Sequence, residues 1–328
     1  MTDVASSIVR SLKTCVLFLV FNRPDTTSQV FDAIRRARPT RLYVAADGPR
    51  SGRAGEVALV DRVRKIATAV DWPCDVKTLF RNDNLGCKRA VSGAITWFFE
   101  HEEQGIILED DCLPNLDFFN FCENMLEYYR HDERVHVITG NNFQNGQHRG
   151  TGTYYFSKYN HCWGWASWRR TWRHYDGNLS FWPSWKVSNE WRANCPDNVE
   201  RRYWEKIFDQ VYAGGIDSWA YPWTASIWKH RGLTITPSVN LVTNIGFSLE
   251  ATHTCDPNSR QANLPVAAFQ EIIHPERMYQ DKEADEYVFD NILGGRWLRW
   301  PLRLLRLPRC ILRCMKRKIT ALRVEFFG

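Results

Sequence analysis

The chain has 328 residues, 44% of them apolar, and a formal net charge of +6. That much apolar sequence fills one large α/β domain or two modest ones and excludes disorder as the default. Residues 296–328 hold ten Lys or Arg against the single acid Glu325, which leaves the first 295 residues at −3. A slightly acidic body does not offer the basic docking face that a nucleic-acid partner needs.

The ten cysteines show no C-x-x-C pair and no zinc-type spacing, so they read as reduced thiols. The first apolar run, Val16 to Phe21, is too short for a secretory or membrane-spanning segment, which points to the cytoplasm.

The first 140 residues alternate apolar runs with amphipathic segments, the pattern of a parallel sheet with crossover helices. Strands are predicted at Cys15 to Phe21, Leu42 to Ala46, Val76 to Phe80 and Gly105 to Leu108. Helices are predicted at Thr26 to Arg38, Gly55 to Val70 and Cys87 to Glu100. Every strand runs into polar or Gly-rich sequence, and open α/β sheets bind ligands at the carboxyl ends of their strands. A helix near Leu116 to Arg130 and a strand at Val135 to Thr139 follow, after which the alternation gives way to aromatic, loop-rich sequence. The expected division is a nucleotide-binding half to residue 140, an acceptor half over 141–260 of the same domain, and an extension over 261–328.

Gly105 to Leu108 delivers three consecutive acids, Glu109, Asp110 and Asp111. Three adjacent carboxylates repel one another, and a hard cation such as Mg²⁺ or Mn²⁺ shared with substrate phosphates would neutralise them. A solvated acidic loop before the helix at Leu116 is the alternative. Lys88 and Arg89 open a helix whose first N–H groups could face an anion, and Arg89 is the cation singled out there, although a solvated helix start is as ordinary. Asp217 stands on a bend after Gly214-Gly215 and before Trp219-Ala220-Tyr221-Pro222-Trp223. Burial against rings would raise its pKa toward that of a general base. It could equally be the N-cap of the helix that follows.

Phe21-Asn22-Arg23-Pro24, Ala46-Asp47-Gly48, Asn84-Leu85-Gly86, Glu109-Asp110-Asp111 and Asp217 to Trp223 occur in this order between residues 15 and 255. Together they resemble the GT-A family of nucleotide-diphospho-sugar transferases, in the branch of N-acetylglucosaminyltransferase I and related bacterial enzymes. The resemblance implies a Rossmann-like, mostly parallel central sheet flanked by helices. It implies Asp111 on the metal, Asp110 on the ribose or on the metal through water, and Asp47 on the donor base. Phe21 and Asn22 would line the base and ribose pocket with Arg23 beside them, and Asp217 would deprotonate the acceptor in an inverting displacement. A late histidine, His253, would complete the metal site or touch the pyrophosphate. For Asp47, an Asp-Gly-Pro turn without a ligand is the alternative, and for His253 an ordinary surface or packing residue.

The Trp-rich middle can stack on sugar rings or fill a core, and Trp163, Trp165, Trp219 and Trp223 are the expected acceptor-site rings. From Arg296 on, cations recur every three or four residues among Trp and Leu, a basic amphipathic pattern suited to an anionic membrane surface or to docking on its own domain. The expected function is an Mn²⁺- or Mg²⁺-dependent inverting glycosyltransferase with a nucleotide-diphosphate donor, UDP before GDP, and a glycan or lipid-linked acceptor. A glycoside hydrolase pairing Asp111 with Asp217 and a non-catalytic carbohydrate-binding protein are the alternatives.

Overall fold

The structure is a computed structural model, and it describes residues 11–247, 261–269 and 271–302. The first strand, β1 (Val16–Val20), is buried along its whole length, as a central parallel strand covered on both faces must be. Helix α1 (Pro24–Ala37) starts with Pro24 in its first turn and buries Thr27, Val30, Phe31 and Ile34, one stripe at helical spacing. Arg38 ends it in the left-handed conformation, φ 52°. Then follow β2 (Arg41–Ala46), α2 (Glu56–Ala67), β3 (Asp75–Phe80), α3 (Cys87–His101) and β4 (Gln104–Glu109). These elements match the sequence-based expectations to within a few residues.

Beyond β4 come β5 (Cys112–Pro114), α4 (Leu116–Tyr128), β6 (Val135–Thr139), β7 (Tyr154–Ser157) and β8 (Trp165–Trp168). Helices α5 (Arg169–Trp172), α6 (Trp182–Lys186), α7 (Asn189–Asn194), α8 (Asn198–Tyr212) and α9 (Ala220–Lys229) lead into β9 (Leu233–Pro237), β10 (Val242–Asn244) and α10 (Lys282–Tyr287).

The eight-stranded sheet has the order β3-β2-β1-β4-β8-β6-β9-β7. Strands β3, β2, β1 and β4 are parallel; β8 lies antiparallel between β4 and β6, and β7 is antiparallel at the far edge. This is the mostly parallel α/β sheet flanked by helices expected of a GT-A chain. One sheet runs through both expected halves, so they share a scaffold.

Alternate residues of the same strands feed two cores. Phe18, Val44 and Leu108 face the side of α1 and α4, whereas Leu19, Ala45 and Ile107 face α3 and the aromatic helices. Trp182, Trp191, Trp223 and Trp228, each at most 1% exposed, fill that second core. The seven cysteines among the described residues are free thiols, as expected. Among the described residues no helix is long and apolar enough to cross a membrane.

Candidate active site at the carboxyl ends of β1, β2 and β4

In the parallel pair of β1 and β4, Leu19 stands opposite Glu109, so Phe21-Asn22-Arg23 and Glu109-Asp110-Asp111 emerge side by side. The Arg23 guanidinium spans two of the acids: Nη1 donates to Asp111 Oδ2 at 2.9 Å, and Nη2 pairs with Asp110 Oδ1. The Phe21 N–H donates to Asp110 Oδ2 at 3.3 Å, and the Cys112 thiol to Asp111 Oδ1 at 3.3 Å.

One guanidinium does not balance three carboxylates. Burial pushes Glu109 up, with the charges of Asp111 and then Asp110 adding to it. Burial also pushes Asp110 up, against the pull of Arg23. This surplus of negative charge on hard oxygen donors fits a hard divalent cation shared with phosphate oxygens, and Asp111 with Asp110 would hold it. Among the described residues no third His, Cys, Asp or Glu completes a metal-holding group, so phosphate and water would supply the other positions. His253 lies outside the described residues.

Next to this pair, Asn22 Nδ2 donates to Glu56 Oε1 at 2.9 Å, and the Arg50 N–H and guanidinium also donate to Glu56. These bonds hold the Glu56 carboxyl below its usual range, the Arg50 side-chain bond contributing most. Arg50 lies over the Phe21 ring, 5.5 Å from its centroid. Arg50 and Glu56 escaped the sequence reading, because nothing local in the 50–56 loop announces a bond to Asn22.

Asp47 accepts the Leu85 N–H at 3.0 Å and the Gly86 N–H at 3.2 Å, while Asn84 Nδ2 donates to Gly48 O at 2.8 Å. Asp47 therefore braces the 82–86 loop, and Gly48 is required there: a Cβ would lie 2.4 Å from the Asp83 carbonyl carbon. Burial raises its carboxyl despite these N–H bonds.

Asp217 is exposed, not wrapped in rings as expected, because Trp219 and Trp223 turn away into the core. It does not cap its own helix either; Trp219 holds that position. Its carboxylate instead accepts the Cys87 N–H at 3.2 Å and the Lys88 N–H at 3.0 Å, the first turn of α3. Beside that turn the Cys87 thiol lies within electrostatic reach of Glu109 and Asp217 and is pushed up to about 12, chiefly by burial. The Cys162 thiol, raised mainly by burial, is within reach of Glu109, Asp111 and Cys87. Arg89 is exposed and has no bonded partner among the described residues.

Three of the four expected acceptor-site rings are closed off. Trp165 at 1%, Trp219 at 3% and Trp223 at 1% exposure pack on one another, Trp165 and Trp219 being stacked at 5.7 Å. No sugar ring can reach their faces in this conformation. Trp163 is only partly buried, edge-on to Phe143 and Phe247, and Phe247 follows the Gly246 turn that lies against Asp111.

No protein family matches the chain in a scan of family models, and no curated protein matches it. Solved structures do. HddC from Yersinia pseudotuberculosis is 14% identical over 52% of this chain and 85% of that one, with a TM-score of 0.30. TarS residues 1-349 from S. aureus is 11% identical over 48% of this chain and 47% of that one, at 0.32. GalNAc-T7, solved with UDP, GalNAc and Mn²⁺, is 14% identical over 69% of this chain and 43% of that one, at 0.43. The chain thus spans less than half the length of the last two.

Proposed function

We propose that this protein is a glycosyltransferase that takes a sugar from a nucleotide-diphosphate donor, UDP in preference to GDP, with Mn²⁺ or Mg²⁺. The observation that carries the reading is the adjacency of Phe21-Asn22-Arg23 and Glu109-Asp110-Asp111 at the ends of two neighbouring parallel strands, where such sheets bind nucleotides. Phe21 and Asn22, braced by Arg50 and Glu56, line the base and ribose pocket, and Asp47 faces the base from the end of β2. Asp110 and Asp111 would hold the cation, which when bound would supply positive charge against the departing diphosphate.

Asp217 is the acid assigned to the acceptor hydroxyl in an inverting single displacement. It is exposed, oriented by two backbone N–H bonds, and within electrostatic reach of the same thiol as Glu109. The acceptor is a glycan or lipid-linked sugar of surface-polysaccharide or glycoconjugate synthesis. Trp163 is the ring open to it, and residues 296–328 provide peripheral contact with the inner face of the cytoplasmic membrane. Of that segment only the start is described, where Arg299 pairs with Asp197 at 2.6 Å and Asp290 at 3.0 Å and Trp300 is 67% exposed. The donor reading is tested by thermal unfolding with UDP, GDP or CMP, each with Mn²⁺ and with EDTA. A ligand at a hundred times its dissociation constant adds about 2.7 kcal/mol, so one nucleotide raises the midpoint only with Mn²⁺ present; no shift with any of them overturns the donor reading.

A further inference from the structure

All four carboxylate oxygens of Asp110 and Asp111 already accept a hydrogen bond. Asp110 Oδ2 takes the backbone N–H of Phe21 and Asp111 Oδ1 the thiol of Cys112. The remaining two, Asp110 Oδ1 and Asp111 Oδ2, are taken by Arg23. Asp111 Oδ2 is also roofed by main chain: a Cβ on Gly246 would lie 2.3 Å from it and 2.7 Å from Arg23 Nη1. The Ile245 N–H donates to the Asp111 carbonyl at 2.9 Å, which pins that roof in place.

A cation approaching Asp111 therefore meets an oxygen already holding a guanidinium. Of the groups on these acids, Arg23 is the one built to leave. Its backbone is fixed, since the Thr27 N–H and hydroxyl both donate to its carbonyl, at 3.0 and 2.6 Å, at the start of α1. Its side chain is still 35% exposed, whereas those of Asp110 and Asp111 are 4% and 12% exposed. Removing it with nothing in its place would leave two enclosed carboxylates unpaired, which is strongly unfavourable. A divalent ion relieves that cost on the acids, and a diphosphate offers the displaced guanidinium a bidentate partner.

We propose that Arg23 is an exchangeable counter-ion: it occupies the cation position of Asp110 and Asp111 in the donor-free protein and moves to the donor diphosphate when cation and nucleotide arrive together. Its presence makes cation binding conditional on nucleotide, so the site resists free metal and closes only around the complete donor. This rests on the donor reading above for the partner to which Arg23 moves, but not for its competition with the cation.

The test is Mn²⁺ binding followed by electron paramagnetic resonance on the full chain, with and without UDP, in wild type, Arg23→Gln and Arg23→Lys. Without UDP, Arg23→Gln binds Mn²⁺ on the order of tenfold more tightly than wild type, within the usual range of a coupling between sites. Adding Asp111→Asn to Arg23→Gln abolishes the gain. Arg23→Lys, which keeps the charge but not the fork that spans two carboxylates, gives part of it, and it serves if the Gln variant fails to give a cooperative melt. An Mn²⁺ affinity without UDP that neither substitution changes overturns the proposal. So does a wild type that binds Mn²⁺ equally well with and without bound UDP. If UDP fails to bind wild type under any condition, the donor reading falls, while the UDP-free comparison still decides the competition by Arg23.

Discussion

Asp217 accepts the Lys88 backbone N–H at 3.0 Å across 129 residues of chain, tying the turn before α9 to the first turn of α3. An acid at a helix N-terminus satisfies orphan donors and is favoured by the helix dipole, so Asp217 has a structural duty beside the chemical one proposed for it. Asn also caps helices well. Asp217→Asn therefore keeps the melting midpoint within a few degrees and leaves UDP binding unchanged, while sugar transfer falls by at least about a hundredfold, as expected for loss of a general base. Transfer assays beside calorimetric UDP titrations check this; near-normal turnover by Asp217→Asn removes the base assignment.

In the Trp-rich half Trp165, Trp219 and Trp223 are buried, whereas Trp163 is only partly buried at the edge of both cores. Trp223 is 1% exposed and lies 4.9 Å from Trp172 and 6.0 Å from Trp165. Trp223→Ala should cost about 3–5 kcal/mol, the usual cost of emptying a packed aromatic site, visible as a lower denaturation midpoint. Trp163→Ala should cost far less stability and raise the acceptor KM with UDP affinity unchanged. Equal destabilisation by the two substitutions would contradict the division.

Three histidines, His136, His174 and His230, stack where β6 meets the segments after α5 and α9. Their ring centroids are 6.0 Å apart from His136 to His174 and 3.9 Å from His174 to His230. Burial depresses His136 to about 4, with repulsion from His174 and Arg170 adding to it, and burial lowers the other two as well. A depressed histidine is neutral when folded, so the unfolded chain binds more protons between the folded value and 6.5, and stability rises with pH across that window. As pH falls from 6.5 toward 4, His136 alone should withdraw up to about 3 kcal/mol. Chemical denaturation at a series of pH values measures the slope, and His136→Phe flattens it; an unchanged slope in that variant would place the acid sensitivity elsewhere.

The first half of the fold was legible because its signals are local. The buried run Val16–Val20, the stripe Thr27, Val30, Phe31 and Ile34, and the turn residues between them fix β1 and α1 without distant information. Strands β7 and β8 gave no such signal. Tyr154–Ser157 and Trp165–Trp168 are buried at every position, so neither shows a period of two, and their aromatic sequence merges with that of the loops. The candidate site was legible as residue types and not as bonds: the sequence sets Arg23 beside the expected donor pocket, but its hold on Asp111, 88 residues away, is a product of sheet register. Asp217 misled for a related reason, since the tryptophans beside it in sequence point into the core and leave it outside.

The central claim is a nucleotide-diphosphate site built on Asp111 and the neighbouring strand end. Calorimetric titration of UDP into wild type and Asp111→Asn, each with Mn²⁺ and with EDTA, tests it most directly. The account predicts binding to wild type that weakens strongly in EDTA, and in Asp111→Asn weak binding that Mn²⁺ no longer improves. UDP binding of equal strength in all four conditions, or no binding in any, would contradict it.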